Sequence, residues 1–305
     1  MAYAPRSLIR PKIHHRHLKE RFVEAALFFC AASAVAVTTA IVVVLVTESA
    51  GFFTRVSIVD FLTDTMWTPL FAEPRYGILP LLCGTLLAAG VALLVAIPLG
   101  LLVAVYLSEF APTKVRETVK PFLELLEGVP TVVYGYFALL FVTPMLQTVI
   151  PDLPGFNVLS PGIVIGIMIV PYVGSVSEDA MRAVPNALRE ASYACGATRL
   201  QTTVRVVIPA AASGIAAAFV LGIARATGET MVVAIAAGQQ PNLTLDPTEP
   251  AATITAYIVQ VALGDLPHGS IGYQSIFAAG LVLLIITLLF NVLAHLLRLR
   301  FREAY

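Results

Sequence analysis

The chain has 305 residues, 58% of them hydrophobic and only 12% charged, and its nineteen Lys and Arg balance nineteen Asp and Glu. With a mean hydropathy of +0.86 it is too apolar to keep a wet surface all round, so lipid is the expected solvent. The absence of any long basic tract excludes the electrostatic footprint of a nucleic-acid binder, and Cys30, Cys83 and Cys195, without CxxC spacing, imply no disulfide or zinc framework and are expected to pack as small core side chains.

Residues 1–21 are a basic segment carrying Arg6, Arg10, Lys12, Arg16, Lys19 and Arg21. The apolar run after it is too long for a cleaved signal and lacks a small-residue exit, which predicts a retained first span. His14, His15 and His17 are expected to touch anionic headgroups rather than hold a metal.

A helix needs about 20 apolar residues to cross about 30 Å of hydrocarbon. Six segments qualify: 22–46, 77–107, 129–150, 158–176, 206–237 and 273–297. The expected fold class is therefore all-α, a polytopic membrane protein with six transmembrane helices. Pro98, Pro144 and Pro171 lie inside spans, where neighbouring helices must satisfy freed carbonyls, and Gly84, Gly90 and Gly100 are expected to allow close helix contacts.

Loop charge sets the orientation. Lys114, Arg116 and Lys120 follow span two; Arg182, Arg189, Arg199 and Arg205 follow span four; Arg298, Arg300 and Arg302 follow span six; the opposite loops hold only Arg55 and Arg75. The positive-inside rule then places both termini in the cytoplasm. In the loop after span one, Trp67 is expected to lie at headgroup level, and residues 238–272, rich in Pro, Asp and Thr, are expected to form a polar surface.

The long loop 177–205, between spans four and five, reads as two short helices around Gly196, the first capped by Asn186. Glu190, Ala191 and Ser192, with Gly196 and then Ile208 and Pro209, resemble the EAA motif of ABC importer permeases; Ser192 stands where that motif has Ala. The resemblance implies a permease domain over 22–305 whose 177–205 loop docks on a separate cytoplasmic ATPase. The chain has no G-x-x-x-x-G-K-[ST] phosphate loop, so it is expected to be a transport subunit and no enzyme, with ATP and Mg used by the partner.

Span five holds Arg225, the one Lys or Arg stranded within the expected spans, and Glu229 four residues on. At i and i+4 of one helix they could form a structural ion pair. The favoured reading is functional: the permanent forked cation suits an oxyanion path, with Glu229 as counter-charge and Gly222 and Gly228 allowing a break. The stretch 224–231, ARATGETM, is similar to a signature of high-affinity phosphate permeases. So is 128–135, GVPTVVYG, and FLTDTMWTP at 61–69 resembles a region of their PstC-type subunits.

These resemblances imply a subunit of an ATP-driven phosphate importer in the bacterial inner membrane. It would form a heterodimer with a PstA-type permease and work with a PstB-type ATPase dimer and an extracytoplasmic phosphate-binding protein. Permeases for molybdate or sulfate, which usually carry an aromatic where Thr230 stands, and a membrane signalling scaffold are the alternatives.

Overall fold

A computed structural model describes residues 13–300 other than 70 and 268. The basic segment before Ile13, the residues after 300 and the side chains of the histidine cluster lie outside that description. Among the described residues, regular structure is helical apart from two isolated bridges, Trp67 with Tyr76 and Gly238 with Ala251.

Helix α1 (Ile13–Phe53) packs chiefly along the last helix and leaves side chains such as Phe22, Val35 and Ile41 exposed, as a lipid-facing surface requires. Helix α2 (Ile58–Thr63) starts at Ser57, whose hydroxyl accepts from the Asp60 N–H. Helix α3 (Leu79–Val105) continues into a π-helical turn, Tyr106–Phe110. Then come α4 (Thr113–Glu127), α5 (Thr131–Phe137), a second π turn (Ala138–Val142) and α6 (Thr143–Gln147).

Helix α7 (Leu159–Arg182) leads to two short helices, α8 (Asn186–Ala194) and α9 (Arg199–Thr202). A π turn, Thr203–Val207, joins α9 to α10 (Ile208–Ala210) and α11 (Ala212–Thr227). The chain closes with α12 (Met231–Ala236), α13 (Ile254–Gln260) and α14 (Ile271–Arg300).

Four unbroken stretches are long and apolar enough to cross a bilayer: Glu20–Phe53, Leu79–Phe110, Leu159–Arg182 and Ile271–Leu293. Two more are bent pairs, by 86° between Thr113–Glu127 and Thr131–Gln147 and by 72° between Arg199–Ala210 and Ala212–Thr227. The expected span three falls largely on the second member of its bent pair, and span five runs from residue 206 through the second bend and α11 into α12. The first bend falls before Pro130, where proline disfavours helical backbone for its predecessor; the second falls at Ala211, two residues after Pro209.

Two expectations change, while residues 177–182, at the start of the expected 177–205 loop, form the end of α7. The 238–272 segment is no simple polar surface, because α13 buries Ile254, Ala256 and Tyr257 inside it. Cys30 and Cys195 are exposed rather than packed in a core, and Cys83 is half-buried with its thiol donating to the Thr244 carbonyl at 3.0 Å.

Helices α3 and α7 form the central seam. Ala88, Ala92, Ala96 and Gly100 recur every fourth residue on α3, and all are buried. They meet the Gly162, Gly166 and Gly174 face of α7. Lipid tails are as apolar as leucine, so helices in a bilayer associate through close packing, which small residues permit. At Gly100 a Cβ would stand 2.8 Å from Val173 Cγ1, whereas Gly90, expected to serve the same purpose, faces open space.

A second cluster covers one end of the bundle. Trp67 is 2% exposed and meets Phe61, Tyr76 and Tyr257 edge-on, with ring centroids 6.3, 6.0 and 5.0 Å away. It is a core residue and not the headgroup anchor expected. At the opposite end, Ala104, Met181, Val184, Val207, Ala211 and Ile215 form a third cluster, on which Leu188 of α8 packs.

Candidate functional site

Helix α11 buries Ile215, Ala218, Gly222 and Ala226, a stripe at helical spacing. Its other side presents Leu221, Arg225 and Gly228 exposed. The helix stops at Gly228, whose N–H donates to the Ala224 carbonyl at 3.1 Å, and Thr227 returns its hydroxyl to the Ile223 carbonyl at 2.8 Å. Residues 228–230 are non-helical before α12 begins.

That break separates the two charged residues. Glu229 is 8% exposed; its Oε1 accepts from the Val232 N–H at 3.4 Å, and its carbonyl accepts from the Thr255 hydroxyl at 2.7 Å. A carboxylate at the start of a helix satisfies an otherwise free N–H. No ion pair joins Glu229 to Arg225 among the described residues, which corrects the expected pairing on one continuous helix. The break falls beside Gly228, whereas Gly222 lies within the continuous helix, against Val173.

The α13 side of the break is polar but satisfied. Thr85 of α3 accepts from the Ile254 N–H at 3.0 Å and donates to the Leu81 carbonyl at 2.7 Å, and the Thr253 and Thr255 hydroxyls lie 3.1 Å apart. Arg225 contrasts with this. Its guanidinium, a permanent cation, sits on a helix face that the rest of its own chain leaves uncovered. Burying such a cation in hydrocarbon would cost about 2.5–3.5 kcal/mol on insertion scales.

The second constellation is the α8–α9 pair. Gly196 turns the chain at φ +82°, with nothing near a Cβ position, a left-handed conformation that glycine adopts without steric cost. Thr198 and Gln201 then form a reciprocal capping box at the start of α9. Ser192 bonds the buried Thr202 hydroxyl at 2.9 Å and so ties α8 to α9, a use for the hydroxyl that stands in place of Ala.

Glu190 and Ala191 are exposed, Ile208 is half-buried against the third cluster, and Pro209 is exposed. Asn186 is the first residue of α8 and not its cap; Pro185 occupies that position, and Asn186 Oδ1 instead accepts from Arg189 Nη1 at 3.4 Å.

Two charged groups gained significance only in three dimensions. Arg189 Nη2 donates to Glu109 Oε1 at 3.0 Å and Nε to Oε2 at 3.4 Å. Its remaining N–H groups reach the Met181 carbonyl at 2.8 Å, the Val184 carbonyl at 2.6 Å and Asn186. Nearby, Lys120 of α4 pairs with the fully buried Glu178 at 3.0 Å and with Asp179 at 2.8 Å. The sequence signal for the first pair was Glu109 itself, a carboxylate ending a long apolar run. Among the described residues no group of three or more His, Cys, Asp or Glu is placed to hold a metal.

Residues 96–303 match the family model described as binding-protein-dependent transport system inner membrane component. The chain is 37% identical over 273 residues to the probable ABC transporter permease protein YqgH of Bacillus subtilis, covering 89% of this chain and 88% of that protein. It is 33% identical over 263 residues to the phosphate transport system permease protein PstC of Mesorhizobium japonicum, covering 79% and 78%. It is 34% identical over 279 residues to PstC 1 of Mycobacterium tuberculosis, covering 79% and 82%.

Among solved structures, it is similar to a chain of a bacterial alginate ABC transporter in complex with a pentasaccharide-bound periplasmic protein. That similarity has a TM-score of 0.64 at 19% identity and covers 95% of this chain and 99% of that one. A chain of the inward-facing MetNI methionine ABC transporter matches with a TM-score of 0.54 at 17% identity, covering 74% and 95%. These two similarities concern the fold.

Proposed function

Since the chain belongs to the family of binding-protein-dependent transport system inner membrane components, we propose that it is the PstC-type permease subunit of an ATP-driven inorganic phosphate importer. Relatives about one-third identical over nearly four-fifths of the chain are phosphate transport permeases. The observation that carries the reading to a residue is Arg225, exposed on a face of α11 that its own chain leaves open.

On this reading a PstA-type permease covers that face, and the path for phosphate runs between the two chains past Arg225. A guanidinium presents forked N–H donors that match two oxygens of a tetrahedral oxyanion, and its charge persists at any working pH. Glu229 acts beside the path, holding the start of α12 where the helix breaks. A carboxylate near the anion keeps binding moderate, as a passage site requires.

Force enters at the other end of α11. Glu190, Ala191, Ser192 and Gly196 form the docking element for a PstB-type ATPase dimer, which uses ATP and Mg, and Ile208 and Pro209 carry its movement into α11. The loop charges set α8–α9 and both termini in the cytoplasm of a bacterium, and an extracytoplasmic phosphate-binding protein delivers its load to the opposite end.

The test is uptake of labelled phosphate by cells whose sole high-affinity route is this complex, with sulfate or molybdate as competitor. Energy-dependent uptake displaced by unlabelled phosphate alone is expected. Displacement by molybdate or sulfate at equal concentration would assign the other oxyanion, and assembly without uptake would favour a signalling scaffold.

A further inference from the structure

Besides the packing of Leu188 on the third cluster, two cations of the α8–α9 pair converge on one turn. Arg189 of α8 reaches Glu109, and the Arg199 guanidinium of α9 lies 5.3 Å from the ring centroid of Phe110. Glu109 and Phe110 are adjacent in the π-helical turn that ends α3. Such turns widen the helix by one residue and re-aim its side chains, here toward α8 and α9.

Arg189 is the tighter link. All five of its N–H groups are used, on Glu109, Asn186 and the carbonyls of Met181 and Val184. Met181 lies in the last turn of α7, its carbonyl also accepting from the Val184 N–H at 3.2 Å, and Val184 lies just beyond the helix, where the helix dipole favours a cation. Arg189 is 14% and Glu109 5% exposed, so the pair is shielded from screening. One side chain of α8 therefore grips the ends of both α3 and α7, the two helices of the central seam.

We infer that Glu109 and Arg189, supported by Arg199 on Phe110, form the linkage by which displacement of α8–α9 is delivered to the α3–α7 seam. They are positioning residues that convert motion at the docking element into rearrangement of the bundle. The covalent route through Pro209 and α11 moves one helix; the Arg189 link makes two others follow it. Lysine cannot replace Arg189, because it lacks the planar fork needed to hold a carboxylate and two carbonyls together.

The inference rests on α8–α9 being the motor contact. The experiment uses the intact transporter in lipid vesicles with its binding protein and Mg-ATP, reading phosphate delivered per ATP hydrolysed. Arg189→Lys should lower that ratio tenfold or more and Phe110→Leu twofold or more, with ATP hydrolysis continuing. Lys120→Gln, which removes the ion pairs to Glu178 and Asp179 and leaves the Arg189–Glu109 linkage intact, should leave the ratio unchanged.

An unchanged ratio in Arg189→Lys and Phe110→Leu overturns the linkage, as does an equal fall in Lys120→Gln. If Arg189→Lys does not assemble, the ratio in Phe110→Leu decides alone. Glu190→Lys separates the premise from the inference: retained ATPase binding and uptake in that variant would show that α8–α9 is not the motor contact. Lost ATPase binding in Glu190→Lys together with normal coupling in Arg189→Lys would reject only the linkage.

Discussion

Replacing Arg225 by glutamine separates function from folding, because no described residue bonds its guanidinium. Arg225 is exposed, with no hydrogen bond or ion pair among the described residues, so Arg225→Gln should change the stability of the chain by no more than about 0.5 kcal/mol. A hydrogen bond to a charged group is worth about 1.5–3 kcal/mol. If Arg225 supplies that to phosphate in passage, uptake at limiting phosphate falls roughly 10- to 150-fold, since about 1.4 kcal/mol is a factor of ten.

Glu229→Gln should behave differently. The amide oxygen can still accept the Val232 N–H, so the loss is the charge at the start of α12, worth about 0.3–1 kcal/mol, or less than about sixfold in uptake. The assay is the initial rate of labelled phosphate uptake divided by the amount of complex in the membrane. Arg225→Gln retaining more than about one-third of the uptake, where a loss of at least about tenfold is expected, would refute the anion contact. Equal losses in the two variants would refute their separation by the break.

Three further outcomes follow from the packing and the turns. Gly196→Ala places a Cβ in open space but at φ +82°, so it should cost about 1–2 kcal/mol by backbone strain alone; Gly196→Asn should recover part of it, read by hydrogen exchange across α8–α9. Gly100→Val drives a branched side chain into Val173 and the Gly174 backbone, and overpacking of about 1–3 kcal/mol should lower the thermal midpoint in detergent, whereas Gly90→Ala should leave it unchanged. Trp67→Ala empties the centre of the aromatic cluster; a loss of about 3–5 kcal/mol should appear as faster proteolysis of the 54–78 loop.

Hydropathy and turn chemistry are local properties, and what depends on them was readable in the chain. The apolar segments, the turn at Gly196 and the two short helices around it follow from side chains that act on their own backbone. Even the α3–α7 seam was foreshadowed by Gly100, because a stripe of small residues has one physical use in lipid.

The arrangement of charge was settled by contacts between distant residues. Glu229 looked like the helical neighbour of Arg225, but its carbonyl is taken by Thr255, 26 residues on, and its carboxylate by the start of α12. Arg189 counted as one more basic loop residue until the fold brought it to Glu109, 80 residues away. Trp67 looked like a headgroup anchor until Tyr257 closed over it. A buried polar or aromatic group takes whichever partner satisfies or packs it, and the chain's path in three dimensions, rather than spacing along the sequence, decides which partner arrives.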